Sequence, residues 1–110
     1  MGVTKTSNYT AIEIETANRL KALGHPARIA IVQFLLNQKD CICNDIVNEL
    51  PLAQPTISQH LKELKNAGII QGTIEGKSIC YCINPKVIQE LVNYFKSIMA
   101  NLPSDNQCCP

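Results

Sequence analysis

The feature that most constrains the fold of this chain is an amphipathic helix that stops at a glycine and leads directly into two β-type segments. Residues 54–67 carry an apolar stripe at helical spacing, formed by Ile57, Leu61 and Leu64. Gly68 follows, and glycine is the residue that most often ends a helix. Residues 69–74 and 78–83 are rich in β-branched and aromatic residues and are separated by a short Glu-Gly-Lys turn, which predicts a β-hairpin.

Four further segments have the periodicity or the boundaries of helices: residues 9–23, 26–36, 44–50 and 85–102. The second of these is apolar nearly all round, so we expect it at the centre of the domain. The resulting order is four helices, a hairpin and a last helix, with a short turn between the third and fourth helices. This order predicts a mainly α fold with a β-hairpin wing, a winged helix-turn-helix.

The chain has 110 residues, which suits one domain with a modest core. We divide it into an N-terminal arm at residues 1–8, a winged helix-turn-helix domain with flanking dimerisation helices at 9–103, and a flexible cysteine-containing tail at 104–110. The first and last helices carry apolar stripes that this core does not need, so we expect a dimer. No apolar run approaches the about 18 residues of a membrane span, and the start does not resemble a secretory signal. We therefore expect a cytoplasmic protein with no membrane partner.

Six cysteines occur as three close pairs, which are Cys41 with Cys43, Cys80 with Cys82, and Cys108 with Cys109. Cytosolic thiols stay reduced, so we do not expect a disulfide framework. Paired spacing favours ligand binding or redox chemistry over simple packing. The formal net charge of +1 gives no strong basic excess, so composition alone does not indicate nucleic-acid binding.

Four segments between residues 20 and 85 are similar, in the same order, to a known family. They read LGHPARIAIVQFL, CICNDI, LAQPTISQHLKELKNAGII and EGKSICYCINP. Together they resemble the ArsR/SmtB family of metal-responsive winged-helix repressors, which bind double-stranded DNA operators as homodimers. The resemblance implies a transcriptional repressor and not an enzyme. No nucleophile–base arrangement and no phosphate-binding loop is visible either.

The resemblance places the recognition helix at the Gln-x-x-x-Ser-x-His-Leu stretch. The groove contacts that it implies are Gln54, Thr56, Ser58 and Gln59. The candidate phosphate contacts are Lys62, Lys65 and Lys77, for which a plain solvated surface is the alternative. His60 lies beside the apolar stripe, so we interpret it as a structural histidine ahead of a DNA-contacting or signalling one.

Cys41 and Cys43 resemble the Cys-Val-Cys-Asp segment through which arsenic and antimony sensors of the family bind their ligand. Residues i and i+2 of a regular helix point to nearly opposite sides. Both thiolates can hold one ion only if Cys41 lies outside the helix that follows or if the first turn of that helix unwinds. We expect this distortion at the start of the helix to be the switch that releases DNA. The alternative is a pair of packed, inert cysteines.

The expected third local cysteine is replaced by Ile46, so another sulfur must complete a three-thiolate shell. We consider Cys108 and Cys109 of the tail as candidates. Cys80 and Cys82 share one face of the second hairpin strand, where we favour plain packing over a second thiol site.

The regulatory ligand that we expect is As(III) or Sb(III), with Cd(II) as a further candidate, and no cofactor is required. No histidine follows His60, which disfavours zinc sensing of the family's last-helix type. A repressor of the same fold that senses oxidants or persulfides through its thiols is the alternative function.

Overall fold

The computed structural model describes residues 8–37, 42–43, 54–75 and 78–103. Within these ranges the elements are α1 (Ala11–Leu23), α2 (Pro26–Leu36), β1 (Ile42–Cys43), α3 (Gln54–Asn66), β2 (Ile70–Glu75), β3 (Ser78–Ile83) and α4 (Pro85–Asn101). The mainly helical fold with a β-hairpin wing is confirmed. The predicted helix at 44–50, the N-terminal arm up to residue 7 and the tail at 104–110 lie outside the described residues.

The helices begin where the sequence provides capping groups. Thr10 caps α1 in a capping box, because its hydroxyl accepts from the Glu13 backbone N–H while the Glu13 carboxylate accepts from the Thr10 N–H. Asn84 caps α4 in a related way and is followed by a proline at the first helical position. These local signals explain why the boundaries of α1, α2 and α4 could be predicted within two residues.

Gly68 ends α3 and turns the chain into the wing. Its φ of 81° lies in the left-handed region, which glycine adopts without a Cβ penalty. The Ile69 N–H donates to the Leu64 carbonyl at 3.0 Å, which is the closing bond of a Schellman motif. α3 and the hairpin are therefore joined by a turn of fixed geometry.

The described strands form an antiparallel sheet in the order β1-β3-β2. In the hairpin, Ile70 pairs with Ile83 and the register continues outward to Glu75 opposite Ser78. On its other edge β3 pairs with β1, so that Ile42 lies opposite Tyr81 and Cys43 opposite Cys80. β1 differs from the sequence expectation, which had no strand ahead of the helix predicted at residues 44–50.

The core lies where α3 meets α1, α2 and the wing. The predicted α3 stripe is buried as expected, and it packs in one cluster with Ala22, Ile31, Leu35, Ile69, Ile70, Val87 and Leu91. The expectation that α2 is central holds for only one side, since Ile29 and Leu36 are exposed. In the part of the chain that the structure describes, no helix is both long and apolar enough to cross a membrane.

Candidate nucleic-acid interface and inducer site

The α3 helix presents a polar face opposite its buried stripe. Ile57 and Leu64 have no exposed surface, so the rotation of the helix about its axis is fixed by the core. The polar residues of the outer face are exposed and comprise Thr56, Ser58, Gln59, Lys62 and Lys65. Gln54 is the first residue of α3, and Lys77 lies outside the described residues. The structure therefore brings six of the seven predicted DNA-contacting residues onto one helix, and five of the six are exposed.

Gln59 has a partner on the same helix. Its amide Nε2 donates to Glu63 Oε1 at 3.1 Å, across one helical turn. This bond orients the amide on the exposed face. The amide carries both a donor and an acceptor, which is the pairing that an adenine edge requires in the major groove.

Behind the polar face, His60 is buried at 8% exposure and connects α3 to α2. The Arg28 Nε donates to His60 Nδ1 at 3.1 Å, and the His25 ring lies 4.5 Å from the His60 ring between centroids. Burial, first of all, and then the charges of His25 and Arg28 lower the pKa of His60 below its ordinary value of 6.5. A neutral imidazole that accepts from a guanidinium supports the structural role predicted for His60.

Arg28 is a positioning residue that sequence reasoning missed. Besides its bond to His60, its guanidinium donates to the Ala22 carbonyl at 3.2 Å, near the end of α1. One side chain of α2 therefore joins the end of α1 to the middle of α3. The sequence shows an arginine in the first turn of a helix, but not the residue 32 positions away that it contacts.

The predicted inducer residues are described only in part. Cys41, Cys108 and Cys109 lie outside the described residues, whereas Cys43 belongs to β1 and is the register partner of Cys80. Cys80 is only 2% exposed, which agrees with its predicted packing in the wing. Both Cys80 and Cys82 are disulfide-bonded, which differs from the expectation of reduced thiols. Across the described ranges, no group of three or more ligating side chains could hold a metal ion.

A large apolar surface remains open on α1 and on the second half of α4. Ile12 is 75% exposed and Met99 is 70% exposed. The further exposed apolar residues of these two helices and their ends are Tyr9, Val92, Tyr94, Phe95, Ile98 and Leu102. Large exposed apolar side chains in such numbers are typical of a surface that binds another protein.

Residues 25–71 match the family described as bacterial regulatory protein, arsR family. The chain is 35% identical over 77 residues to the transcriptional repressor SdpR of Bacillus subtilis, an alignment that covers 70% of this chain and 84% of SdpR. It is 44% identical over 62 residues to the HTH-type transcriptional repressor SmtB of Mycobacterium tuberculosis. That alignment covers 56% of this chain and about 45% of the length of SmtB.

Solved structures show the same fold. An ArsR-like transcriptional regulator from Rhodococcus sp. RHA1 superposes with a TM-score of 0.74 at 21% identity, covering 83% of this chain and 85% of that one. A possible transcriptional regulator for arsenical resistance superposes with a TM-score of 0.62 at 27% identity, covering 74% of this chain and 83% of that one. With its matching segment, its relatives and its winged fold, the chain belongs to the arsR family, whose members are DNA-binding transcriptional regulators and not enzymes.

Proposed function

We propose that this protein represses transcription by placing α3 in the major groove of a double-stranded DNA operator. The observation that carries the proposal is the exposed row of polar and basic side chains on α3, directly opposite a fully buried apolar stripe. Ser58 and Gln59 read base edges, while Lys62 and Lys65 bind phosphates. Gln54, Thr56 and the wing residue Lys77 complete the proposed contact set.

The operator-binding form is a homodimer. The support is the open apolar surface of α1 and α4, which a second copy of the chain would cover. A two-fold symmetric dimer presents two recognition helices, so the operator is a near-palindrome with half-sites about one helical turn apart. The dimer acts in the cytoplasm, the compartment that contains its operator DNA.

The inducer is a soft metalloid, As(III) or Sb(III), held by Cys41 and Cys43, and Cd(II) is a further candidate. Thiolates select soft ions over hard ones. A similar solved structure is described as a possible regulator for arsenical resistance, which supports the same ligand class here. No resident cofactor is required for DNA binding.

The position of β1 suggests how the inducer and the operator oppose each other. Cys43 lies on a strand that pairs with β3, and β3 is one of the two strands of the wing. A ligand that draws Cys41 and Cys43 together strains this pairing and shifts the wing relative to α3. By linkage, inducer and operator weaken each other's binding equally, typically by about 1–3 kcal/mol.

A thiol redox or persulfide sensor with the same DNA-binding face is the second candidate function. It is favoured by one observation, the disulfide-bonded state of Cys80 and Cys82. Oxidants, in place of a metalloid, would then release the operator.

A ligand panel read out by operator dissociation tests the proposal. The reduced protein on labelled operator DNA is titrated with arsenite, antimonite, Cd(II), Zn(II), hydrogen peroxide and an organic persulfide. We expect release by arsenite and antimonite at the lowest concentrations, and little response to Zn(II). Release by peroxide or persulfide alone would support the redox function and contradict the metalloid one.

A further inference from the structure

An arginine of α1 joins the two helices that carry the open apolar surface. The Arg19 guanidinium makes one ion pair with Glu90 of α4 and a second with Glu15, one turn earlier on α1. In the described part of the chain, the contact of Arg19 with Glu90 is the only side-chain ion pair or hydrogen bond between α1 and α4. Beyond the hydrophobic core, the relative position of these two helices therefore depends on this one polar contact.

The environment of Arg19 distinguishes this contact from an ordinary surface ion pair, which contributes little to stability. The Arg19 side chain is only 11% exposed, although both of its carboxylate partners are exposed. Its Nε is buried and has no hydrogen-bond partner. A buried N–H without an acceptor costs free energy, so an arginine without other ties would turn this group to water. The two carboxylates therefore hold the guanidinium in place between the helices.

The helical positions of Arg19 and Glu90 connect their ion pair to the open apolar surface. The exposed Ile12 lies two turns before Arg19 and therefore on the same face of α1. The exposed Tyr94 lies one turn after Glu90 on the same face of α4. A shift or rotation of either helix at the Arg19–Glu90 contact would therefore move the apolar side chains of one helix relative to those of the other.

We propose that Arg19 is a positioning residue of the dimer surface, which holds α1 and α4 in the arrangement that a second copy of the chain binds. This inference rests on the homodimer of the proposed function and identifies what preorganises its interface. Preorganisation strengthens association, because less ordering is required when the two copies meet. Both copies must present the same arrangement, so a loss of about threefold in its population in each copy raises the dimer Kd by about ninefold.

Two matched substitutions separate the contact between the helices from the contact within α1. Glu90→Gln and Glu15→Gln make the same chemical change, and each removes one carboxylate from the same guanidinium. Analytical ultracentrifugation of the full chain measures the dimer Kd. We expect Glu90→Gln to raise it by about tenfold. Glu15→Gln should raise it by about twofold or less, because an exposed pair within one helix contributes little. An unchanged Kd in Glu90→Gln, or an equal effect of Glu15→Gln, would overturn the inference.

A charge exchange tests whether the ion pair between the helices carries the effect. Arg19→Glu places three carboxylates together and should weaken dimerisation more than Glu90→Gln does, because like charges repel. Arg19→Glu/Glu90→Arg again combines one cation with two carboxylates, now with the cation on α4, and should lower the dimer Kd by about fivefold or more relative to Arg19→Glu. A residue that only stabilised α1 would show no such rescue. An exchange variant that dimerises no better than Arg19→Glu would overturn the inference.

The proposed homodimer and the proposed role of Arg19 fail in different ways. If the wild type sediments as a monomer at every concentration, the homodimer is wrong and the role of Arg19 falls with it. If the wild type is a dimer that Phe95→Glu disrupts and Glu90→Gln leaves intact, the dimer surface is right and the positioning role of Arg19 is wrong.

Discussion

At the scale of single residues, Ser58 and Gln59 carry the proposed base readout. Both are exposed on α3, and the Gln59 amide is oriented by its bond to Glu63. We predict that Ser58→Ala/Gln59→Ala weakens binding to the operator by about thirtyfold or more, because two base contacts are lost and each costs about 1–3 kcal/mol. Binding to unrelated DNA should be nearly unchanged, since phosphate contacts do not read sequence.

Fluorescence anisotropy with operator and scrambled duplexes measures both affinities. Gln89→Ala, which removes an exposed glutamine from α4, is the matched control and should bind like the wild type. If the double variant still distinguishes operator from scrambled DNA, the groove assignment is wrong.

His60 predicts a dependence of stability on pH. Its pKa is lowered in the folded state, chiefly by burial and then by His25 and Arg28, so the unfolded chain binds the proton more tightly. The contribution of His60 is therefore complete above pH of about 6.5 and is lost as the pH falls toward the folded-state pKa. The slope can reach about 1.4 kcal/mol per pH unit for one proton.

Urea unfolding between pH 5 and 8 (about the range in which histidine titrates) measures this slope. His60→Gln keeps an acceptor for Arg28 and should flatten the curve. His25→Asn keeps a capping group for α2 and should retain most of the slope, because burial is the largest cause of the shift. Equal slopes in His60→Gln and wild type would show that another group titrates.

The position of His60 in the sequence predicted its structural role but did not predict Arg28 as its hydrogen-bond partner. A histidine next to an apolar helical stripe is predicted to face the core, since helical periodicity fixes the direction of its side chain. The contact with Arg28 depends on how α2 crosses α3, and crossing geometry is a tertiary property that no local pattern encodes.

At the scale of elements, Gly68 is the junction that sets the wing against α3, the proposed recognition helix. A Cβ at this position would meet Val87 Cγ2 at 3.5 Å, an ordinary contact, so space is not the obstacle. The obstacle is the positive φ, and we predict that Gly68→Ala lowers the free energy of unfolding by about 1–2 kcal/mol. Gly68→Asn should cost less, because asparagine tolerates the left-handed region.

Gly24 provides the matched control for this prediction. Its φ of −80° is accessible to any residue, and an added Cβ would lie 3.4 Å from the nearest atom, the Leu20 carbonyl oxygen. Gly24→Ala should therefore be neutral or stabilising by about 0.4–1 kcal/mol in the same urea titration. A larger loss from Gly24→Ala than from Gly68→Ala would contradict the assignment of strain to Gly68.

The elements that the sequence predicted well are those with their own local signals. Caps, proline at the first helical position and apolar periodicity define the described helices, and the hairpin follows from its β-branched runs. β1 has only two residues, too few for any periodicity, and it exists through its pairing with β3. For this reason the register pairing of Cys43 with Cys80 could not be predicted from the sequence, which indicated Cys43 as a candidate ligand and favoured plain packing for Cys80.

At the scale of the whole molecule, the open apolar surface of α1 and α4 predicts that DNA binding depends on dimerisation. Phe95→Glu places a charge within this surface, so it should shift the protein to a monomer and weaken operator binding by about a hundredfold or more. Lys96→Glu, at the neighbouring exposed position, introduces the same side chain and is the control. Analytical ultracentrifugation reports the oligomeric state, and a Phe95→Glu variant that remains dimeric would contradict the assigned interface.

The most direct test of the central claim is release of operator DNA by arsenite, followed by anisotropy, in wild-type, Cys41→Ser and Cys43→Ser proteins under reducing conditions. We expect all three to bind the operator with similar affinity before arsenite is added, because the thiols act in the switch and do not touch DNA. Arsenite should then release the wild type, with affinity for DNA reduced by about five- to 150-fold. Neither single variant should respond. Full release of both variants, or retention of the wild type at saturating arsenite, would contradict a metalloid switch at Cys41 and Cys43.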